Sequence, residues 1–269
     1  LDLISRELVV ETTTRLAGPR DALPSTKLTL LRASEARWPE LLEQATLPLI
    51  VDSVSTVADR VQAGGNTLNR IRGALEAAVP LSNRVTPDLS ELHYGFRLAL
   101  FPQVAEVFVD HTVPRALPPS LPYALSDQTS NFADGEDLRF VASEAFSGII
   151  IDARGLLPVH GENNRAEIEL ALFPGIYDDN LRSVLEREDM DPAFARRWGT
   201  AAYSEDFNEA PYVDRIGENP LRIVAVGLFG IYNTDVKIPV RDANRLFADA
   251  ENARLLREGR VLIIVGDQG

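Results

Sequence analysis

The chain has no cysteine, one methionine, three histidines and two tryptophans among its 269 residues. Without cysteine there are no disulfides, thiolate metal sites or cysteine nucleophiles, and the redox compartment stays open. Basic residues are scarce too: 27 Lys and Arg stand against 40 Asp and Glu, giving a formal net charge of −13 and a pI near 4.7. No basic block occurs, so a nucleic-acid surface is not expected, and an anionic membrane surface repels the chain unless something outside these residues holds it there. Long apolar runs are also missing. The longest, such as Leu98 to Phe101 and Val261 to Val265, fall far below the roughly 20 residues needed for a membrane-crossing helix. The first residue is Leu1 and not methionine, which leaves room for a targeting segment already removed.

What is present suffices for a globular protein: 45% of residues are hydrophobic and 25% charged, enough for one large core or two modest ones. The β-branched run Leu8 to Thr14 predicts a strand closed by the turn Ala17-Gly18-Pro19. Leu31, Trp38, Leu42 and Ala45 share a helical face that Pro39 kinks or splits. Leu49-Ile50-Val51 reads as a buried strand, Thr56 with Asp59 as a helix cap, and Asn66 as the cap of a helix with Leu68, Ile71, Leu75 and Ala78 on its apolar face. The alternation from Leu92 to Leu100 predicts a half-buried antiparallel strand.

Further along, Phe146 to Asp152 and Ile168 to Leu172 read as two strands able to form a hairpin. Asp191, Pro192 and Gly199 frame a short helix ending at Trp198. Leu221 to Val226 and Val236 to Ile238 read as paired strands, followed by a helix from about Arg241 and a last strand at Val261 to Val265. The fold class expected is therefore α+β: mixed and antiparallel sheets with packed helices, in two subdomains at 1–111 and 136–269, joined by a Pro-rich linker or arm at 112–135.

Chemistry is thinly represented. His93, His111 and His160 show no i, i+4 metal spacing, and no Asp-x-Asp-x-Asp-Gly calcium loop or glycine-rich phosphate loop occurs. Carboxylates abound in Asp178-Asp179, Glu186 to Asp189 and Glu205-Asp206, but acidic abundance in a soluble chain is ordinarily a solvated face. Gly148 to Gly155 is close to the strand end of tail-specific serine proteases, yet no Ser-Lys or Ser-His pair stands out beside it. No catalytic, cofactor-binding or metal residue is assigned, and no cofactor is expected. Asp152 and Arg154 are read as turn and ion-pair residues.

The order of short signatures in the last third is more specific. Ser147 to Gly155 resembles the "TGLIIDARGL" strand of flagellar-assembly proteins of the FlgP/FlgT type, with Gly148, Asp152, Arg154 and Gly155 as its structural signature. Phe173 to Asp178, with Pro174 and Tyr177, resembles their "P-x-I-Y-D" element, and Arg215 to Leu221, with Gly217 and Pro220, their "RVGxNPL" turn. Thr234-Asp235-Val236 with Asp242-Ala243 resembles their step into the last helix. The resemblance covers roughly 146–267, and the N-terminal part resembles the lipoprotein-like domain that accompanies it.

This resemblance implies a non-enzymatic structural protein of the bacterial flagellum and motility apparatus, periplasmic or outer-membrane-associated, forming a ring or disk as a homo-oligomer with other flagellar or envelope proteins. Members are often acylated on an N-terminal cysteine; here a lipid anchor would lie upstream of Leu1, or this member is soluble. The edges of the Leu92 to Leu100 and Ile168 to Leu172 strands are expected to pair between subunits, and the Pro-rich arm to wrap a neighbour. The alternatives are a secreted or periplasmic hydrolase using carboxylate or serine chemistry, and an envelope binding module.

Overall fold

The computed structural model describes residues 2–16, 24–81, 83–88, 90–116 and 144–266. The expected turn at Ala17-Gly18-Pro19 and the Pro-rich segment from 117 onward lie outside them. The fold is α+β, in two compact units: Leu1–Leu49 with Ser55–Phe108, and Ile50–Val54 with Val109–Gly269. Among the described residues no helix is long and apolar enough to cross a membrane.

Elements are numbered along the chain. The N-terminal unit contains β1 (Glu7–Arg15), α1 (Pro24–Glu35), α2 (Trp38–Thr46), β3 (Ser55–Thr56), α3 (Val57–Gln62), α4 (Thr67–Leu75), β4 (Val79–Pro80), β5 (Arg84–Val85) and β6 (Glu91–Ala99). Pro39 divides the long helical pattern into two helices, since its ring suits a first turn and not an interior. At α3 the Thr56 side chain accepts from the Asp59 amide at 3.2 Å while Asp59 accepts from the Thr56 amide at 2.8 Å, a complete capping box. β6 is the centre of an antiparallel sheet, paired with β1 along its whole length and with β4 and β5 on the other side. Trp38, Tyr94 and Phe96 cluster at its inner surface with centroids 4.2–5.7 Å apart, Tyr94 edge to face with the other two rings and Trp38 tilted against Phe96.

The C-terminal unit begins with β2 (Ile50–Asp52), a piece of chain from the N-terminal half. It continues with β7 (Gly148–Asp152), β8 (Leu157–Pro158), β9 (Arg165–Ala166), β10 (Ile176–Asp178), β11 (Ser183–Leu185), α5 (Pro192–Trp198), β12 (Ala202–Ser204), α6 (Val213–Ile216), β13 (Pro220–Val224), β14 (Gly227–Phe229), β15 (Asp235–Ile238), α7 (Val240–Phe247), α8 (Ala250–Arg257) and β16 (Val261–Ile264). Two four-stranded sheets form: an all-parallel one in the order β12-β16-β7-β13, and a mixed one in the order β11-β10-β15-β14.

Three sequence expectations are corrected here. The Phe146 to Asp152 run forms no hairpin with 168–172; as β7 it takes parallel neighbours on both sides. Its three isoleucines in a row suit a strand covered on both faces, and Ile149, Ile150 and Ile151 are all buried. Residues 168–172 are not a strand. The Tyr203 hydroxyl occupies both the amide and the carbonyl of Ala171, and the amides of Leu172 and Phe173 donate to Ile50 and Val51. Finally, β13 pairs with β7, while β15 pairs with β14.

Candidate functional site

The residues singled out in the sequence sort into distinct places in the C-terminal unit. In the first, β7 meets the turn after α6. Gly148 lies so close to Ile216 that a Cβ on it would stand 2.4 Å from the Ile216 carbonyl oxygen. Gly217, at φ +66°, lies against Ser147. The Ser147 hydroxyl donates to the Ile216 carbonyl at 2.7 Å and accepts from the Asn219 amide at 2.8 Å, and Pro220 then starts β13 in register with Gly148.

Beside this joint Arg215 is 4% exposed, and its guanidinium donates to the carbonyls of Gly259 (2.7 Å), Trp198 (2.8 Å) and Gly199 (2.9 Å) over the Trp198 ring. These carbonyls end α5 and follow α8, so one planar fork closes helix ends that lack intrahelical partners.

A second place is the C-terminal end of β7. Arg154 forms a bidentate pair with Asp152 at 2.9 and 3.0 Å and stands over the Phe207 ring, while Gly155, at φ +73°, donates to Gly266. Arg154's hydrogen bonds hold the Asp152 carboxyl below the usual range, against the opposing effect of partial burial. These residues fix how the strand leaves the sheet. Asp242, on α7, stands apart, with Arg245 and Arg241 as neighbours at 3.5 and 3.6 Å.

The third place is the unit's polar pocket, about 100 Å³, lined by Asp52, Ser53, Phe173, Gly175, Tyr177, Glu186, Arg187, Glu188 and Asp235. It joins two signatures, since the segment carrying Pro174 and Tyr177 runs beside Asp235. Asp235 accepts from the Gly175 amide at 2.7 Å and from the Thr234 hydroxyl at 3.3 Å, and the Pro174 carbonyl accepts from Thr200 at 2.8 Å. Gly175 is required by crowding: a Cβ there would stand 2.8 Å from the Tyr177 ring and 3.0 Å from the Asp235 carboxylate.

The Tyr177 hydroxyl donates to Glu186 at 2.7 Å, and burial, then Glu186, push its ionisation well above the ordinary phenol value. Arg115 bridges Glu186 at 2.6 Å and Asp189 at 2.7 Å, and Arg187 reaches Glu188 at 2.7 Å and Asp52 at 3.6 Å. Asp52 and Ser53 come from β2 and the residue after it. No local signal in the sequence ties them to residues more than a hundred positions away; Arg115 was equally unforeseen.

No histidine or lysine is among the residues that line this pocket. Its lining sets four carboxylates, Asp52, Glu186, Glu188 and Asp235, against Arg187, with Arg115 bound to Glu186 beside them, and the space holds no more than a few waters. Among the described residues no group of three His, Asp or Glu is arranged to hold a metal ion. The histidines are engaged separately: His93 with Thr13 and Glu91, His111 with the Met190 carbonyl, and His160 with Lys237.

Asp235 is the strained member. Burial, with the Asp52 charge adding to it, raises its pKa above the ordinary 3.8, although Gly175, Ser53 and Thr234 oppose the rise by hydrogen bonding. A folded pKa above the unfolded one means that folding favours the protonated carboxyl. That contribution is complete below 3.8 and is lost as pH rises through the folded value. Asp235→Asn is therefore expected to gain stability relative to the parent chain as pH rises above 3.8. Melting temperatures of both proteins across that range test this; a difference that is flat or falls with pH would contradict it.

Two family models match parts of the chain. Residues 5–107 match the model of the N-terminal domain of Treponema pallidum Tp0624, and residues 148–267 match that of the second domain of Tp0624. The two matches follow the same order along this chain. No curated protein matches the sequence.

Proposed function

We propose that this chain is a non-catalytic assembly protein of the bacterial envelope, periplasmic or outer-membrane-associated, that self-associates into a ring or disk at the flagellar basal body. The flagellar assignment rests on the resemblance of the C-terminal signatures. Those signatures lie at packing joints and around a small polar pocket, which is what a structural role asks of them.

The observation that carries self-association is the open edge of β1. The pairing expected through Leu92 to Leu100 is blocked, because both sides of β6 are occupied. β1 instead ends the sheet. The Leu100 amide donates to Arg6 and the Leu16 amide to Ser90, so even-numbered residues of β1 bond to β6 and odd-numbered ones turn away. Glu7 meets Asp2 on that outer side at 2.9 Å, but Val9, Glu11, Thr13 and Arg15 have no backbone partner there among the described residues. Such an edge accepts a strand from another copy by main-chain hydrogen bonding. A head-to-tail contact of this kind closes into a ring when its rotation allows.

Size-exclusion chromatography with light scattering tests the reading. The parent chain is expected to run as a concentration-dependent oligomer. Val9→Lys, which charges the edge, and Thr13→Pro, which removes one outward N–H, are expected to run as monomers with unchanged circular dichroism. A parent chain that stays monomeric at every concentration would sink the proposal.

A further inference from the structure

The N-terminal unit carries a groove of about 790 Å³ that the signatures do not touch. α2 and α4 form its walls, and Phe96 of β6 lies at its base. Its apolar lining is Trp38, Pro39, Leu42, Leu75, Ala78 and Phe96. Four carboxylates, Glu35, Glu40, Glu43 and Glu76, stand against a single cation, Arg72. Arg72 is already committed to Glu43, with its Nε 2.8 Å from Oε2. Glu35 accepts from the Tyr94 hydroxyl at 3.3 Å and Glu40 from the Gln44 amide at 3.4 Å, both neutral donors. Among the described residues no cation pairs with Glu35, Glu40 or Glu76.

Trp38 packs at the bottom of the groove and is 3% exposed. An apolar floor and a rim of carboxylates that outnumber their one arginine are complementary to a segment with apolar side chains and Lys or Arg beside them.

We infer that this groove is the docking site for a cationic amphipathic peptide segment of a partner protein. Two turns of an amphipathic helix place apolar side chains on Trp38, Leu42, Leu75 and Phe96 through i, i+3 and i+4 spacing, with basic side chains falling to the flanking glutamates. The size lies within the range of sites that enclose small molecules, but the carboxylates are spread over α1, α2 and the end of α4, as suits several cations along one segment and not a single one. This inference does not depend on the β1 edge, whose residues are not among the groove lining.

The test is fluorescence anisotropy of the full chain with a labelled Leu/Lys amphipathic helical peptide of about 14 residues, and with its Leu/Glu counterpart. The Leu/Lys peptide is expected to bind and the Leu/Glu peptide not to. Glu40→Lys with Glu76→Lys is expected to weaken binding at least about tenfold, as removing rim attraction should. Glu167→Lys with Glu218→Lys, exposed residues of the other unit that change the net charge equally, is expected to change it less than about twofold. Circular dichroism confirms that each variant is folded; if the groove pair is not, Glu40→Gln with Glu76→Gln takes its place, with a loss of about threefold expected. No binding by the Leu/Lys peptide, equal binding by the Leu/Glu peptide, or equal losses from both charge-reversed pairs would overturn the inference. Repeating the titration in Val9→Lys separates it from self-association, because that variant should bind the peptide unchanged whether or not the parent chain oligomerises.

Discussion

Arg215→Met should destabilise the C-terminal unit by about 4 kcal/mol, the sum expected when several buried acceptors lose a charged donor at about 1–3 kcal/mol each. The Met side chain has similar bulk and fills the space against Trp198, so the loss comes from the carbonyls of Trp198, Gly199 and Gly259. Arg215→Lys should recover only a minor part, because one ammonium cannot reach three carbonyls arranged for a planar fork. Urea unfolding followed by circular dichroism measures both. A loss under about 1 kcal/mol for the Met variant would show that the fork is dispensable. The position reads as a structural signature in the sequence, and its geometry explains why arginine serves there: the residue ties the end of α5 to the chain after α8.

Gly148→Ala should cost about 3 kcal/mol, at the upper end of what overpacking costs in a well-packed interior. The added methyl meets only backbone: the oxygen, Cα and carbonyl carbon of Ile216 at 2.4, 2.5 and 2.8 Å. No flexible side chain is there to swing away, so β7 or the turn after α6 must move, and β7 is bonded to β13 and β16 on its two sides. Gly73→Ala provides the opposite sign. Gly73 lies within α4 with open space around its Cβ position, so alanine should stabilise by about 0.5–1 kcal/mol through helix propensity and a less disordered unfolded chain. Denaturation of the two variants side by side reads both effects. Equal responses would mean that close approach at Gly148 is not what selects glycine.

Much of the local structure was legible because its signals act over a few residues. Thr56 and Asp59 form the capping box their spacing announces, Asp191 accepts from the Ala193 amide at the start of α5, and Gly199 closes that helix at φ +70°. The alternation of β6 also came through, with Leu92, Tyr94 and Leu98 buried. Trp38 and Trp198, expected on helices and buried, are both.

The partners of the strands were not legible in the same way. A run such as Ile149 to Ile151 announces a covered strand, and a hairpin was the nearest explanation, since adjacent strands along a chain usually pair. Its actual neighbours begin at Pro220 and Val261. The pocket shows the same limit, for Asp52 and Ser53 reach it from a segment that the sequence groups with the first domain.

What the sequence determined by itself was the class of the fold, the ends of its better-capped helices and the ion pair that finishes β7. Only the tertiary structure decided that the signatures at Gly148 and Gly217 are two halves of one joint, that Tyr177 and Asp235 share a pocket, and that β1 and not β6 offers an open edge. Caps and alternation arise from contacts three or four residues apart, or from the two-residue strand period, and are written in the local order of residues. Pairing between distant strands depends on how complementary surfaces meet after collapse, and no short stretch of sequence carries that information.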